Sequence, residues 1–439
     1  MTSRRSMLRS LAALGPTALF ASDALAEVTR WLPTALPNVP PEMIASDEDF
    51  WVTVQQAFDV DRSIINLNNG GVSPSPRTVQ AAFRRYTDQA NNMPAYEMWR
   101  HQEPQVETIR EGLAGIFEVD AEEIAIMRNA SEALETLQLG VPLERGDEVL
   151  TTTHDYPRML TTWDQRVRRD GIVLKKVGIP TPLRRRQDMV DNIEAAITPR
   201  TKVIHISHVV FLTGQILPVR EVCRLAAKRG IRCFVDGAHS FAHFPFTQKD
   251  LECEYFGTAL HKWFLGPIGT GMLYVKKDRI ADIWPLMSAP KEMDTNIRKF
   301  EEIGTHPAAM HNALIESIAF HRAMGIERKA ARLRYLHSVW TDQLEKYDTV
   351  RFLTNIKDDD NQCGLRLVHV EGTDPGKVSS YLLEKHRIFT VSIGHEDFKG
   401  LRVAPSVYTT VDEMQRFAKA MSMIARGEAG TAVSMDLKG

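Results

Sequence analysis

Short apolar runs alternate with stretches of helical period along most of this chain. Residues 123–127, 148–152, 172–177, 202–207 and 231–235 are compact apolar blocks bounded by polar or turn-forming residues, and they predict strands. A further strand is expected at 253–257 and a short one at 64–67. Apolar positions three and four apart predict helices over 50–58, 106–116, 189–197, 220–229 and 410–424. Residues 308–347 read as one long helical stretch. The aromatic-rich segment 93–101 either joins helices or lines a pocket. Strands alternating with helices imply a mostly parallel sheet with right-handed crossovers, so the expected class is α/β. Toward the C terminus a strand, a helix and a strand (364–370, 378–386 and 389–393) predict a smaller α+β domain.

In parallel sheets of this kind ligands bind beyond the carboxyl ends of the strands. Four chemically capable residues fall just after predicted strands: Ser131, Tyr156, Asp236 and Lys262. Asp236 closes the apolar run 231–235, where an isolated carboxylate is costly unless it meets a cation. Lys262 stands among Leu260, Trp263, Phe264 and Leu265. Desolvation lowers a lysine's pKa and makes it a better nucleophile. One chemistry wants both groups. Pyridoxal phosphate (PLP) forms a Schiff base with a lysine and needs an acid beside its ring nitrogen to act as an electron sink. The plainer alternative is that Asp236 caps a turn and Lys262 snorkels to the surface. Residues 128–135, RNASEALE, place Asn, Ser and Glu just ahead of a helix, and the free N–H groups of such an end suit a phosphate.

Several separated motifs sharpen this reading. DGAH at 236–239, ALHKWFLGPIGTGMLYV at 259–275, EEIGT at 301–305 and LRVAPSVY at 401–408 occur in this order. Together they resemble the class V aminotransferase family of fold-type I PLP enzymes, most of all its isopenicillin N epimerase-like branch. The resemblance implies a large PLP-binding domain at 76–300 around a seven-stranded, mostly parallel sheet, and a small C-terminal domain at 301–426. It implies that Lys262 carries the cofactor, that Asp236 meets the ring nitrogen and that Tyr156 stacks on the ring. Counting from Trp163 favours Tyr156 over His154 for that position. Ala130 and Ser131 are expected at the phosphate, with His239 and His261 also contacting the cofactor. Arg402 is expected to grip a substrate carboxylate through a bidentate pair, with the loop around Asn69 beside the substrate. Thr305 is expected to reach the phosphate of a neighbouring subunit, which makes the active unit a homodimer with shared sites.

Two positions depart from the family pattern. Phe211 stands where many relatives carry an asparagine for the cofactor's ring hydroxyl; that contact is then lost, or supplied by His239 or Gln215. Ala259 replaces a Ser or Asn near the phosphate, leaving Thr258 or a backbone group to compensate. The loop 390–399, TVSIGHEDFK, lacks the cysteine that cysteine desulfurases of the family carry ahead of the carboxylate-binding arginine, which disfavours sulfur transfer.

Composition narrows the setting. A net charge of −2 over 439 residues gives no global field for nucleic acid or an anionic membrane. Arg4 and Arg5, the apolar stretch 11–21 and the small residues 24–26 predict a twin-arginine signal peptide cleaved near Ala26, hence a periplasmic bacterial protein. No later run is long enough to span a bilayer. Residues 27–75 read as a proline-rich arm and substrate-access loop, and 427–439 as a disordered tail. The four cysteines form no CxxC, so their redox state stays open. The 14 histidines show no HExxH-like spacing, so no metal is expected. The expected substrate is an amino acid or amino-acid-like moiety reacting at its alpha-carbon by transamination, epimerisation, oxidative deamination or decarboxylation. An exported siderophore-maturing enzyme is a precedent within the family. The rival is a non-catalytic binding protein on a PLP-enzyme scaffold, which the changes at Phe211 and Ala259 would suit.

Overall fold

In a computed structural model of the chain, the structure describes residues 39–358 and 361–435. The expected signal peptide at 1–26 and the start of the arm lie outside the described residues. Thirteen strands are present among those described: β1 (Ile65–Asn66), β2 (Ile124–Met127), β3 (Glu148–Thr152), β4 (Val173–Val177), β5 (Thr201–Ser207), β6 (Arg232–Asp236), β7 (Tyr255–Ala259), β8 (Gly271–Val275), β9 (Val350–Phe352), β10 (Arg366–Val370), β11 (Ile388–Phe389), β12 (Val391–Gly394) and β13 (Lys399–Val403).

Seven of them form one sheet in the order β2-β8-β7-β6-β5-β3-β4. Strand β8 runs antiparallel to both neighbours, and the remaining pairs are parallel. Every residue of β2, β3, β7 and β8 is buried, which is why these strands read as continuous apolar runs: helices cover both faces of the sheet. Edge strand β4 is more polar, and its Lys175 pairs with the buried Glu148 of β3 at 2.8 Å. The strand expected at 253–257 sits two residues later, because Glu252 closes the preceding helical turn in the left-handed region and the chain enters β7 only at Tyr255.

The small domain is built on an antiparallel sheet of order β12-β13-β10-β9, one strand more than the strand-helix-strand unit expected plus its arginine strand. Helices Pro375–His386 and Val411–Ala425 pack on it, the second opened by a capping box between Thr410 and Glu413. Strand β1 pairs in parallel with β11, so the N-terminal loop is stitched to the small domain. The stretch expected as one helix over 308–347 is three: Ala308–Asn312, Leu314–Met324 and Ile326–Leu344. Gly325, at φ 80°, supplies the second break. Leu314, Ile318 and Phe320 join the core of the large domain, whereas Leu336, Trp340 and Leu344 join that of the small domain. The change of core therefore falls close to Gly325 rather than at residue 301. The tail also differs from expectation through residue 435: Val433 is buried, and its carbonyl accepts the Asp374 N–H at 2.9 Å. Segment 93–101 is helical, with Tyr96 and Trp99 exposed, and joins its neighbours without lining the cavity described below. Among the described residues no helix is long and apolar enough to cross a membrane.

Candidate active site

Beyond the carboxyl ends of β2, β3, β5, β6 and β7 lies a cavity of about 590 Å³ whose far wall comes from the N-terminal loop and the small domain. Asp236 is the last residue of β6 and is buried; its Oδ1 accepts the Ala238 N–H at 2.8 Å. The tight turn after it needs Gly237, where an added Cβ would meet the Phe256 ring at 1.9–2.6 Å. Burial raises the pKa of Asp236, opposed by the Ala238 N–H and by the nearby His205 and Lys262 charges. Lys262 follows β7 in a tight loop, with its Nζ 3.0 Å from His239 Nε2. Burial lowers the lysine to about 8, against the pull of Asp236 and helped by the Arg402 cation. Acid and amine thus face the same cavity and feel each other's charge.

Burial also holds His239 well below the ordinary histidine value, so the ring is neutral. When the Lys262 ammonium donates to Nε2, the ring proton resides on Nδ1. That Nδ1 is buried without a partner among the described residues. The loop bearing His239 is itself fixed from behind. His243 donates from Nδ1 to the His239 carbonyl at 2.7 Å, accepts the Gly364 N–H on Nε2 at 2.6 Å, and stacks on Trp263 with ring centres 3.5 Å apart.

Strand β2 delivers the chain to Asn129, whose side chain accepts the Glu132 N–H at 2.8 Å and caps the helix Ala130–Gly140. Ala130 and Ser131 open that helix on the cavity wall, where its first N–H groups suit an anion. Gly271 lets β8 approach this turn, since a Cβ there would meet the Asn129 backbone at 2.6–2.8 Å. Tyr156 and Phe211 line another wall, edge to face with centroids 5.3 Å apart. His154 is buried elsewhere, against His395 and Phe398, so of the two candidates only Tyr156 faces the cavity. His261 lines the cavity while its Nδ1–H donates to the Thr270 carbonyl at 3.0 Å.

Arg402 reaches the cavity from β13. It donates to the Phe211 carbonyl at 3.0 Å and to Asn68 Oδ1 at 2.8 Å. Its Nε is buried without a partner, and it makes no ion pair with an acid among the described residues. Burial without a carboxylate lowers it to about 10. A desolvated guanidinium with donors to spare is a receptor for an anion.

Lys262, Asp236, Tyr156, Ala130, Ser131, His239, His261 and Arg402 therefore meet at one cavity. Two expected residues do not. Asn69 is fully buried, with Nδ2 donating to the Asn66 and Ala404 carbonyls and Oδ1 accepting from Tyr408, so its polar atoms are spent inside the fold. Its neighbour Asn68 is the asparagine that touches Arg402. Thr305 is exposed and away from the cavity of its own chain. Of the three side chains expected to compensate at these positions, His239 lines the cavity with Nδ1 unpartnered among the described residues, whereas the other two are engaged elsewhere. Gln215 is engaged with Asn361 at 2.8 Å, and the Thr258 hydroxyl donates to the Gly237 carbonyl at 2.8 Å. Sequence reasoning missed Asn68, Ser207 and the cavity-lining β12 residues Val391 and Ile393. Alternation along β12 could have pointed to the last two.

A lysine and an acid on one cavity at the carboxyl end of a mostly parallel sheet, beside a helix N-terminus, define the class of PLP-dependent α/β enzymes. The pattern of the aminotransferase class-V family matches residues 65–417, and the chain belongs to that family. It is 27% identical over 396 residues to an isopenicillin N epimerase of Amycolatopsis lactamdurans, covering 86% of this chain and 99% of the relative. Its fold is similar to that of an apo cysteine desulfurase from Thermococcus onnurineus NA1, with a TM-score of 0.73, 22% identity and coverage of 87% and 98%. A cystine C–S lyase variant with glycine covalently linked to its PLP cofactor matches at a TM-score of 0.73, 21% identity and coverage of 82% and 97%. The family uses PLP, and the residues here fit it. The His239 Nδ1 and Arg402 Nε atoms, unpartnered among the described residues, the helix end at Ala130 and the Lys262 amine leave a cationic cavity that a phosphorylated, acidic guest would complete.

Proposed function

We propose that this chain acts at the alpha-carbon of an amino acid or amino-acid-like moiety, by chemistry of the epimerase or aminotransferase kind, with Lys262 as its covalent anchor for the cofactor. The observation that carries the reading is that Lys262 and Asp236 line one cavity that also contains Arg402 without an acidic partner among the described residues. Bound PLP supplies an electron sink that acidifies the C–H bond next to the substrate nitrogen. The protein's own groups do the rest. Asp236 holds a proton on the ring nitrogen, Arg402 orients the substrate by its carboxylate, and Tyr156 with Phe211 walls the site against water. Lys262, lowered to about 8, is suited to take the alpha-proton and to return it, at the alpha-carbon in an epimerase or on the far side of the nitrogen in a transaminase; inversion would need a second donor on the opposite face. The relative named isopenicillin N epimerase supports the first outcome. The absence of cysteine from 390–399 weighs against the desulfurase outcome suggested by the structural relatives.

The reading extends to export through the twin-arginine pathway, with folding around PLP before translocation, and to a homodimer in which Thr305 serves the neighbouring site. The test is an absorption spectrum of the purified protein followed by product analysis with D- and L-amino acids and keto acids. A visible band that shifts with an amino acid and yields a racemised or keto product supports the reading. A colourless protein that PLP cannot reconstitute refutes it and favours a non-catalytic binding role.

A further inference from the structure

The loop after β3 and the turn between β12 and β13 meet at the rim of the active-site cavity, and they bring together three groups that the mechanism does not use. His154 is 1% exposed, and neither of its ring nitrogens has a hydrogen-bond partner among the described residues. Its ring stands edge-on to that of His395, with centroids 4.6 Å apart and an interplanar angle of 81°. His395 is oriented by a donor–acceptor pair. Its Nε2–H donates to the Thr153 carbonyl at 3.2 Å, which leaves the lone pair on Nδ1, and that Nδ1 accepts the Asp397 N–H at 3.2 Å. The Asp397 carboxylate stands 3.7 Å from the same Nδ1. One ligand atom from each of the three residues lies within 4.8 Å of the other two.

We propose that His154, His395 and Asp397 form a site for a divalent transition cation of the zinc class, clipping the small domain's β12–β13 turn to the loop after β3. Two imidazole nitrogens and one carboxylate are a donor set that zinc takes with a fourth position open, the His395 Nδ1 lone pair exchanging the Asp397 N–H for the metal. The His395 Nε2–H bond to a backbone carbonyl is the outer contact that fixes tautomer and ring orientation in such sites. Bonds of about 2.0–2.2 Å in a tetrahedral site bring ligand atoms to about 3.4 Å from one another, so the three must close by about an ångström. Asp397, two-thirds exposed, has the freedom to supply most of that. Sequence spacing gave no hint of the site, because its ligands lie on two domains. Its consequence follows from position: Tyr156, two residues beyond His154, and Val391 and Ile393 on β12 all line the cavity, so an ion here braces the cavity's rim.

The test is titration of the untagged, purified chain with Zn²⁺, with bound metal measured by mass spectrometry after gel filtration and folding checked by circular dichroism. One Zn²⁺ per chain is expected, with affinity weakened at least about tenfold in His154→Ala, His395→Ala and Asp397→Asn. Asp397→Asn changes an exposed side chain and keeps the fold, so loss of binding there cannot be blamed on unfolding. Substoichiometric metal in folded wild-type protein, or unchanged affinity in His395→Ala, overturns the proposal. Neither result depends on whether PLP is bound.

Discussion

Replacing His243 by phenylalanine isolates what holds the loop that carries His239. The side chain is 1% exposed and lies on Trp263 at 3.5 Å with rings 10° from parallel. A phenyl ring fills the same space and keeps the stack. It cannot accept the Gly364 N–H or donate to the His239 carbonyl, bonds that measure 2.6 and 2.7 Å here. Each orphaned buried backbone group costs about 1–3 kcal/mol, so the pair costs about 4 kcal/mol. With an unfolding entropy of about 2.1 cal/mol/K per residue over roughly 400 residues, that loss lowers Tm by about 5 °C. The assay is differential scanning calorimetry at saturating PLP, with a PLP titration of the same variant. Because Gly364 belongs to the small-domain side, the variant should also loosen the cofactor by releasing the His239 loop. His243→Ala, which loses the stack as well, should fall further. A His243→Phe protein melting within about 1 °C of wild type would refute the reasoning, since it would mean that both backbone groups are satisfied some other way.

Lys262→Ala should lose the visible absorption band while keeping wild-type circular dichroism; a retained band would show that another amine holds the cofactor. Arg402→Lys keeps the charge but loses the planar fork, and should raise the amino-acid concentration needed to shift the spectrum by about 10- to 100-fold. Substrates lacking the carboxylate should be indifferent to that change, and an equal loss for both would move Arg402 out of substrate binding. Burial holds His208 and His321 at about 3 and His311 at about 4. In the unfolded chain these imidazoles titrate near 6.5, so below that pH the unfolded state takes up protons that the native state refuses. Stability should therefore fall as pH drops from about 6.5 toward 4, by up to about 1.4 kcal/mol per pH unit for each group, and a flat Tm across that range would contradict it.

What could be read from the sequence follows from where polarity interrupts an apolar pattern. Asp236 and Lys262 break apolar segments, and a buried break is expensive enough to need a reason, so both stood out before any fold was known. The sheet was equally legible, because strands covered on both faces have no polar positions to blur them. The choice between Asn68 and Asn69 was not legible. The two are adjacent in one turn, and the parallel β1–β11 pairing together with the Asn68–Ala404 bridge decides which one reaches Arg402. His243 looked like any histidine in a loop, since its partner Gly364 comes from the other domain. The single helix expected over 308–347 failed because helical period persists across Gly325, while the two halves bury their apolar faces in different cores. Long-range partners are what local spacing cannot carry, and His154 with His395 is the same case.

The missing contacts share one address, the seam between the domains, and this changes how the departures at Phe211 and Ala259 should be weighed. Arg402 comes from the small domain, yet one of its two hydrogen bonds ends on the Phe211 backbone of the large domain. The Phe211 side chain has lost the power to bond a ring hydroxyl, but its carbonyl positions the arginine and its ring meets Tyr156 edge to face. The residue thus shapes the wall and positions the arginine rather than making a polar side-chain contact. Ala259, by contrast, leaves the phosphate end with fewer side-chain donors in this chain, since the Thr258 hydroxyl is committed to Gly237. On the proposed reading, the helix N–H groups at Ala130 and Ser131 would carry more of the anion, and a donor from a neighbouring subunit, the role proposed for Thr305, would matter more. On the proposed reading, the departures move the cofactor's anion contacts toward the helix end and a neighbouring subunit rather than remove them.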